Sequence, residues 1–219
     1  MENAKKIFWR AGFPKESVKV QIRDRDKGVA RDIVREAKRG NSCVIVGRRG
    51  MSKLKDLVLG SISTKLIEKI AFAPIVVVGK KPKPDAFLLA LDCSENAMRA
   101  MDYVGSVLGG SDVDIAIIHV IRSDEKKFIE KSKRTIDSVF EEAKRKLVKS
   151  GFDKNQITTK IITGAHSRAG AIVQEAKLGG YGTIVVGRRG LSKVQDFIMG
   201  RVSNKVIHIA KNHAVWVVS

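Results

Sequence analysis

The chain has 219 residues, 43% of them hydrophobic, with 42 Lys and Arg against 23 Asp and Glu, a formal net charge of +19. That apolar content excludes wholesale disorder, and no apolar run reaches the length of a membrane span. Met1-Glu2-Asn3-Ala4-Lys5-Lys6 leads into no signal-peptide core, so a cytoplasmic address with no membrane partner is expected.

In chain order, residues 4–10 read as the end of a helix stopped by Gly12 and Pro14. Val18-Lys19-Val20-Gln21-Ile22-Arg23 alternates apolar and polar and predicts a strand with one covered face. Val29, Ile33, Val34 and Ala37 fall at helical spacing, with Gly40-Asn41 as the stop. Cys43-Val44-Ile45-Val46 is a buried strand, followed by the glycine loop Gly47-Arg48-Arg49-Gly50. Gly60-Ser61 opens a helix marked by Ile62, Leu66, Ile67 and Ile70, and residues 75–78 form a further apolar strand. Lys80-Lys81-Pro82-Lys83-Pro84 is a charged connector, which divides the chain into a first unit over 1–79, a linker over 80–85 and a second unit over 86–219.

The second unit opens with an apolar strand over 86–91 that ends in Asp92-Cys93-Ser94-Glu95-Asn96. Ser94 or Asn96 can cap the helix carrying Ala97, Ala100, Met101, Val104 and Leu108. A buried strand over 115–121 and a long charged helix from about 125 to 150 follow. From there the two units align: residues 143–149 match 4–10, 157–162 match 18–23, and 172–177 match 33–38, each at an offset of 139. Val185-Val186-Gly187-Arg188-Arg189-Gly190 then repeats the first glycine loop at an offset of 140, since 187 − 47 = 140. Strands alternating with helices predict parallel strands joined by right-handed crossovers, an open α/β sheet with helices on both faces. Ligands of such sheets bind beyond the carboxyl ends of the strands.

In both copies nine residues separate the last glycine of G-R-R-G from a glycine that opens the next helix, Gly50 to Gly60 and Gly190 to Gly200. Glycine permits close backbone approach, so N–H groups at both ends of this excursion can point at an anion, and the helix adds its positive end. The repetition of the gap favours an anion site over a pair of tight turns.

This pattern resembles the nucleotide-binding signature of the universal stress protein family. The opening strand with Asp92, Ser94 and Asn96 resembles that family's first strand and its aspartate, and the resemblance covers essentially the whole chain as a tandem pair. It implies a five-stranded parallel sheet in the order 3-2-1-4-5, with the last strand used for pairing between domains, either within the chain or in a homodimer. It also implies that ATP, with or without Mg²⁺, is the ligand. Asp92 and Val120 would serve the nucleoside, Val186 would lie beneath the base, Gly187, Gly190, Gly200 and Val202 would hold the phosphates, and Ser94 is counted with them among the nucleotide-binding residues. Arg201 stands where the family has Ser or Thr, and either adds a cation or blocks the phosphates; Ser203 is a substitute hydroxyl. In the first copy Gly47, Gly50, Gly60 and Ser61 match the pattern fully. That copy, however, lacks the counterparts of residues 87–139, so it carries a phosphate loop with no adenine half and should expose apolar surface.

Neither loop carries a Walker-type G-K-S/T. Asp56 and Asp196 could meet Mg²⁺ but read better as solvated loop carboxylates, His119 reads as a packed or capping histidine, and His166 is the better-placed acid–base candidate. No catalytic set or resident metal is assigned. The expected function is regulation through nucleotide occupancy, without turnover beyond slow ATP hydrolysis. The alternative is a basic nucleic-acid or anionic-surface binder with structural glycine loops: residues 1–84 hold 21 Lys and Arg against 8 Asp and Glu. Few aromatic residues lie between those cations to stack bases, so nucleic acid is possible but not favoured.

Overall fold

A computed structural model describes residues 2–40, 42–49, 59–80, 85–190 and 199–219. In chain order the elements are α1 (Glu2–Arg10), α2 (Val29–Ala37), β1 (Val44–Gly47), α3 (Ser61–Lys69), β2 (Ile75–Val78), β3 (Ala86–Ala90), α4 (Glu95–Leu108), β4 (Asp114–Val120), α5 (Lys126–Lys149), β5 (Ile157–Ile162), α6 (Arg168–Leu178), β6 (Thr183–Gly187), α7 (Arg201–Ile209) and β7 (Ala214–Val218).

The strands form one seven-stranded sheet in the order β1-β2-β7-β6-β3-β4-β5. All neighbours are parallel except β2 and β7, which run antiparallel with Val76 opposite Trp216. This corrects the expected five-stranded parallel sheet to a seven-stranded mixed one. Within residues 85–219 the five strands β5-β4-β3-β6-β7 are parallel and keep the 3-2-1-4-5 order. The last strands pair within the chain, so the outer edge of β7 is already occupied by β2 and the sheet ends at β1 and β5.

Helices pack on both faces, as their apolar spacing requires. On one face α2, α3, α6 and α7 enclose a core that crosses from one half of the chain to the other, with Leu66, Ile67, Ile75 and Val77 packed together with Val206, Ile207, Val215 and Val217. On the opposite face α4 and α5 cover β3, β4 and β6 through Met101, Val104, Phe140 and Leu147. Trp216 closes this second core edge-on to Phe87 and Tyr103, at 5.4 and 5.9 Å between ring centroids.

The expected strand over 18–23 does not form: the segment has no ladder partner among the described residues, and Ile22 is 76% exposed. The stretch that aligns with it in sequence, β5, obtains its ladder bonds from β4, and the described residues of 1–84 contain no strand in the place of β4. The apolar exposure expected of the first unit is present. Among the described residues, nine of the thirteen exposed large hydrophobic side chains, including Ile7, Phe13 and Ile45, lie in residues 1–84. Ile45 is 70% exposed, whereas Val185, which is equivalent at the offset of 140, is fully buried beneath α4. Among the described residues no helix is long and apolar enough to cross a membrane.

Candidate functional site

The carboxyl ends of β3, β4 and β6 open into a cavity of about 550 Å³ beneath the start of α7. Its lining brings together Asp92, Val120, Val186, Gly187, Gly190, Gly200, Arg201, Val202 and Ser203. Ser94 stands behind the wall. Its hydroxyl donates to Asp92 Oδ1 at 2.5 Å, and its oxygen accepts from the Ala97 N–H at 3.2 Å, so Ser94, not Asn96, caps α4.

The far wall is backbone. The Gly200 N–H donates to the Arg188 carbonyl at 2.8 Å and closes the base of the loop. A Cβ on Gly190 would lie 2.1 Å from Asp92 Oδ2, and one on Gly187 would lie 3.0 Å from the backbone at the start of α4. Glycine is therefore required at these positions by the protein's own neighbours, the Asp92 carboxylate and the first residues of α4. α7 begins at Arg201 directly after Gly200, so its first N–H groups and positive end face the cavity. Arg201 is exposed and lines the cavity, together with Arg189 and Arg168, without filling it. Ser203 is directed inward: its hydroxyl donates to the Gly187 carbonyl at 2.6 Å and ties α7 to the end of β6. The substitute phosphate hydroxyl expected at this position thus has its proton already committed.

Cys93 holds a left-handed backbone, with φ of 62°. Its Sγ lies 3.9 Å from His119 Nδ1 beside the cavity. Burial and the neighbouring Asp92 raise the thiol pKa, while burial, with Arg168 adding to it, holds His119 below its ordinary value despite Asp92 and a hydrogen bond that the ring donates to the Leu91 carbonyl. Both groups are thereby kept neutral, which does not suit a thiolate nucleophile or a charged acid. His166 lies in an adjoining cavity of about 520 Å³ that shares His119, Val120 and Arg168. Among the described residues no three His, Cys, Asp or Glu side chains converge as a metal site. Asp56 and Asp196 lie outside the described residues.

In the first loop the Gly60 N–H donates to the Arg48 carbonyl at 2.9 Å, and the Ser63 hydroxyl to the Gly47 carbonyl at 2.8 Å, repeating the bonds of the second loop. Ser61 opens α3, as Arg201 opens α7. Gly47, Gly60 and Ser61 line neither cavity described above, and Gly50 lies outside the described residues.

The sequence reading missed the first arginine of each loop. Arg48 and Arg188 are 4% and 3% exposed, too buried to meet a ligand. Arg188 sends its guanidinium to the carbonyls of Ile67 and Ile70, both at 2.7 Å, at the end of α3. Arg48 bonds the carbonyls of Ile207 and Ala210 at the end of α7. Each side chain satisfies carbonyls that the other half's helix leaves without intrahelical donors. Burial and the adjacent arginines, Arg49 and Arg189, push both guanidinium groups below their ordinary range.

The sequence model of the universal stress protein family matches residues 85–219, and the chain belongs to that family. Among solved structures, it is similar to a universal stress protein from Archaeoglobus fulgidus DSM 4304 at 23% identity. That alignment covers 99% of this chain and 77% of the other, with a TM-score of 0.66. It is also similar to a putative universal stress protein from Pseudomonas aeruginosa UCBPP-PA14, at 16% identity over 99% and 76% of the two chains, TM-score 0.65. The hypothetical protein MJ0577 aligns at 24% identity over 61% of this chain and 94% of its own, TM-score 0.54. No curated protein matches.

Proposed function

We propose that this chain is an ATP-binding regulatory protein whose nucleotide site lies in residues 86–219. The observation that carries the reading is the cavity at the strand ends. Asp92 and Val120 lie on its β3 and β4 side, and Gly187, Gly190 and Gly200 meet the positive end of α7 on the other. In this reading Asp92, oriented by Ser94, holds the ribose, while Val120 and Val186 contact the base. The backbone of Gly187, Gly190, Gly200 and Val202 holds the phosphates, and Arg201 replaces the usual hydroxyl with a cation. Mg²⁺ enters as an accessory of the phosphates. Occupancy, rather than turnover, is the output, in keeping with the neutral Cys93 and His119.

The chain is read as two tandem copies, over 1–79 and 86–219, the first lacking its opening strands and helices. The equivalence of Arg48 with Arg188, of Ile67 with Ile207 and of Ile70 with Ala210, all at an offset of 140, supports this. The first loop, Gly47, Gly50, Gly60 and Ser61, is then a phosphate loop without an adenine half.

Titration with a fluorescent ATP analogue tests the assignment. Wild type is expected to bind saturably, and Gly190→Val to lose at least tenfold in affinity, because its side chain would collide with Asp92. Equal binding by the two proteins would sink it. The excess of 21 Lys and Arg over 8 Asp and Glu in residues 1–84 favours one second reading, a basic nucleic-acid surface with structural loops. Absence of saturable nucleotide binding combined with steeply salt-dependent binding to DNA or RNA would select that reading.

A further inference from the structure

The two buried arginines hold more than a seam. Arg188 stands inside the loop of the candidate site: its carbonyl receives the Gly200 N–H at 2.8 Å, and its own N–H donates to Val218 at 2.6 Å. Its guanidinium crosses to the end of α3 in the other half of the chain. Arg48 reaches in the opposite direction and grips Ile207 and Ala210 at the end of α7, the helix whose first residues wall the cavity. A nine-residue helix is a rod of about 13 Å, so a hold on its far end fixes where its N-terminal amides point. Both clasps therefore bear on the same site, one through the loop and the other through the helix.

Apolar side chains would seal a buried seam at least as well as two guanidinium groups, since an ion withdrawn from water costs several kcal/mol before its hydrogen bonds are counted. A guanidinium offers what an apolar group cannot, namely two directed donors that set the angle and axial position of a helix end. The seam around the clasps is also specific: a Cβ on Gly79 would lie 2.4 Å from the His213 carbonyl, and the β2–β7 ladder fixes one register.

We infer that Arg48 and Arg188 are positioning residues for the nucleotide site. Residues 1–80 serve as the frame that holds the glycine loop and α7 in binding geometry, and nucleotide occupancy and the docking of the two halves stabilise each other. The inference rests on the nucleotide reading above. Linkage makes it reciprocal: if docking strengthens binding, binding strengthens docking by the same factor.

The full chain is used for the test, with the fluorescent ATP analogue as probe. Arg48→Met alters no residue lining the cavity, and is expected to weaken analogue binding at least about fivefold, the lower range of ordinary coupling between sites. Arg188→Met should do the same, while circular dichroism of both variants stays that of wild type. In unsubstituted protein, saturating analogue should slow hydrogen exchange of the amides over 66–70 and 75–78, which touch no part of the cavity. The second measurement decides the matter if a variant fails to fold. Unchanged affinity in a folded Arg48→Met, or exchange that slows only within 85–219, overturns the inference and leaves the nucleotide reading standing. Absence of saturable binding by wild type instead removes the nucleotide reading, and this inference with it.

Discussion

Cys93 occupies a backbone conformation that favours glycine, directly after the aspartate at the mouth of the cavity. A side chain in the left-handed region costs roughly 1–2 kcal/mol, because Cβ crowds the carbonyl oxygen. Cys93 recovers part of that cost by packing against the core beneath α4. Cys93→Gly should therefore raise stability by about 0.5 kcal/mol, the strain relieved exceeding the packing lost and the added chain entropy. Urea unfolding of the two proteins reads the difference, and a less stable glycine variant would show that packing governs this position. Asp92 and Gly190, by contrast, fit only each other. The carboxylate stands where any Cβ on residue 190 would go, which is why a single methyl group there acts on the site and not merely on the loop.

Strands β3 to β7 of residues 85–219 could be read from the sequence because each apolar run has a neighbour on both sides, or a helix above it, within the same stretch of chain. Val18-Lys19-Val20-Gln21-Ile22-Arg23 has the alternation of a strand, but alternation describes faces and says nothing of edges, and it has no ladder partner among the described residues. The cavity residues were legible because glycine spacing and an aspartate at a strand end are local features. The clasps were not, because Arg48 acts on Ile207 and Arg188 on Ile70, contacts that span 159 and 118 residues. One signal existed: Arg48 and Arg188 share the parity of Val46 and Val186, which face the core common to both halves, so a period of two turns them inward. At the same junction burial holds His213 below its ordinary pKa, and the Arg48 guanidinium adds to the effect. The folded state thus binds this proton less readily than the unfolded chain, so its contribution to stability is complete above the unfolded value near 6.5 and is lost as pH falls through and below it. The melting temperature should fall between pH 7.5 and 5.5, and should fall less in His213→Leu. A residual slope is expected because burial depresses His119 in the same direction. Parallel curves for the two proteins would show that His213 remains neutral throughout.

At the scale of the whole molecule, the antiparallel β2–β7 ladder sits at a local two-fold relation between unequal halves. Val76 faces Trp216 at its centre, and the arginine exchange repeats on either side. Residues 85–219 carry their own five strands and helices on both faces, with a core beneath α4 and α5 made wholly from that stretch. Removing residues 1–84 would uncover the apolar edge of β7, where Val215 and Val217 are fully buried, and would leave Arg188 without its carbonyls. An uncovered apolar edge strand seeks a partner, and the nearest match to β2 is another β7. A fragment of residues 85–219 should therefore form a two-fold dimer through β7, with Trp216 opposite Trp216 and each Arg188 capping the partner's α7 at Ile207 and Ala210. Light scattering should give twice the fragment mass, and Arg188→Glu should return it to monomer by placing a carboxylate against helix-end carbonyls. A monomeric fragment would mean that the edge depends on the sequence of β2 and not on its geometry. In the intact chain that edge is occupied from within by β2, so β7 offers no free edge for association with other molecules.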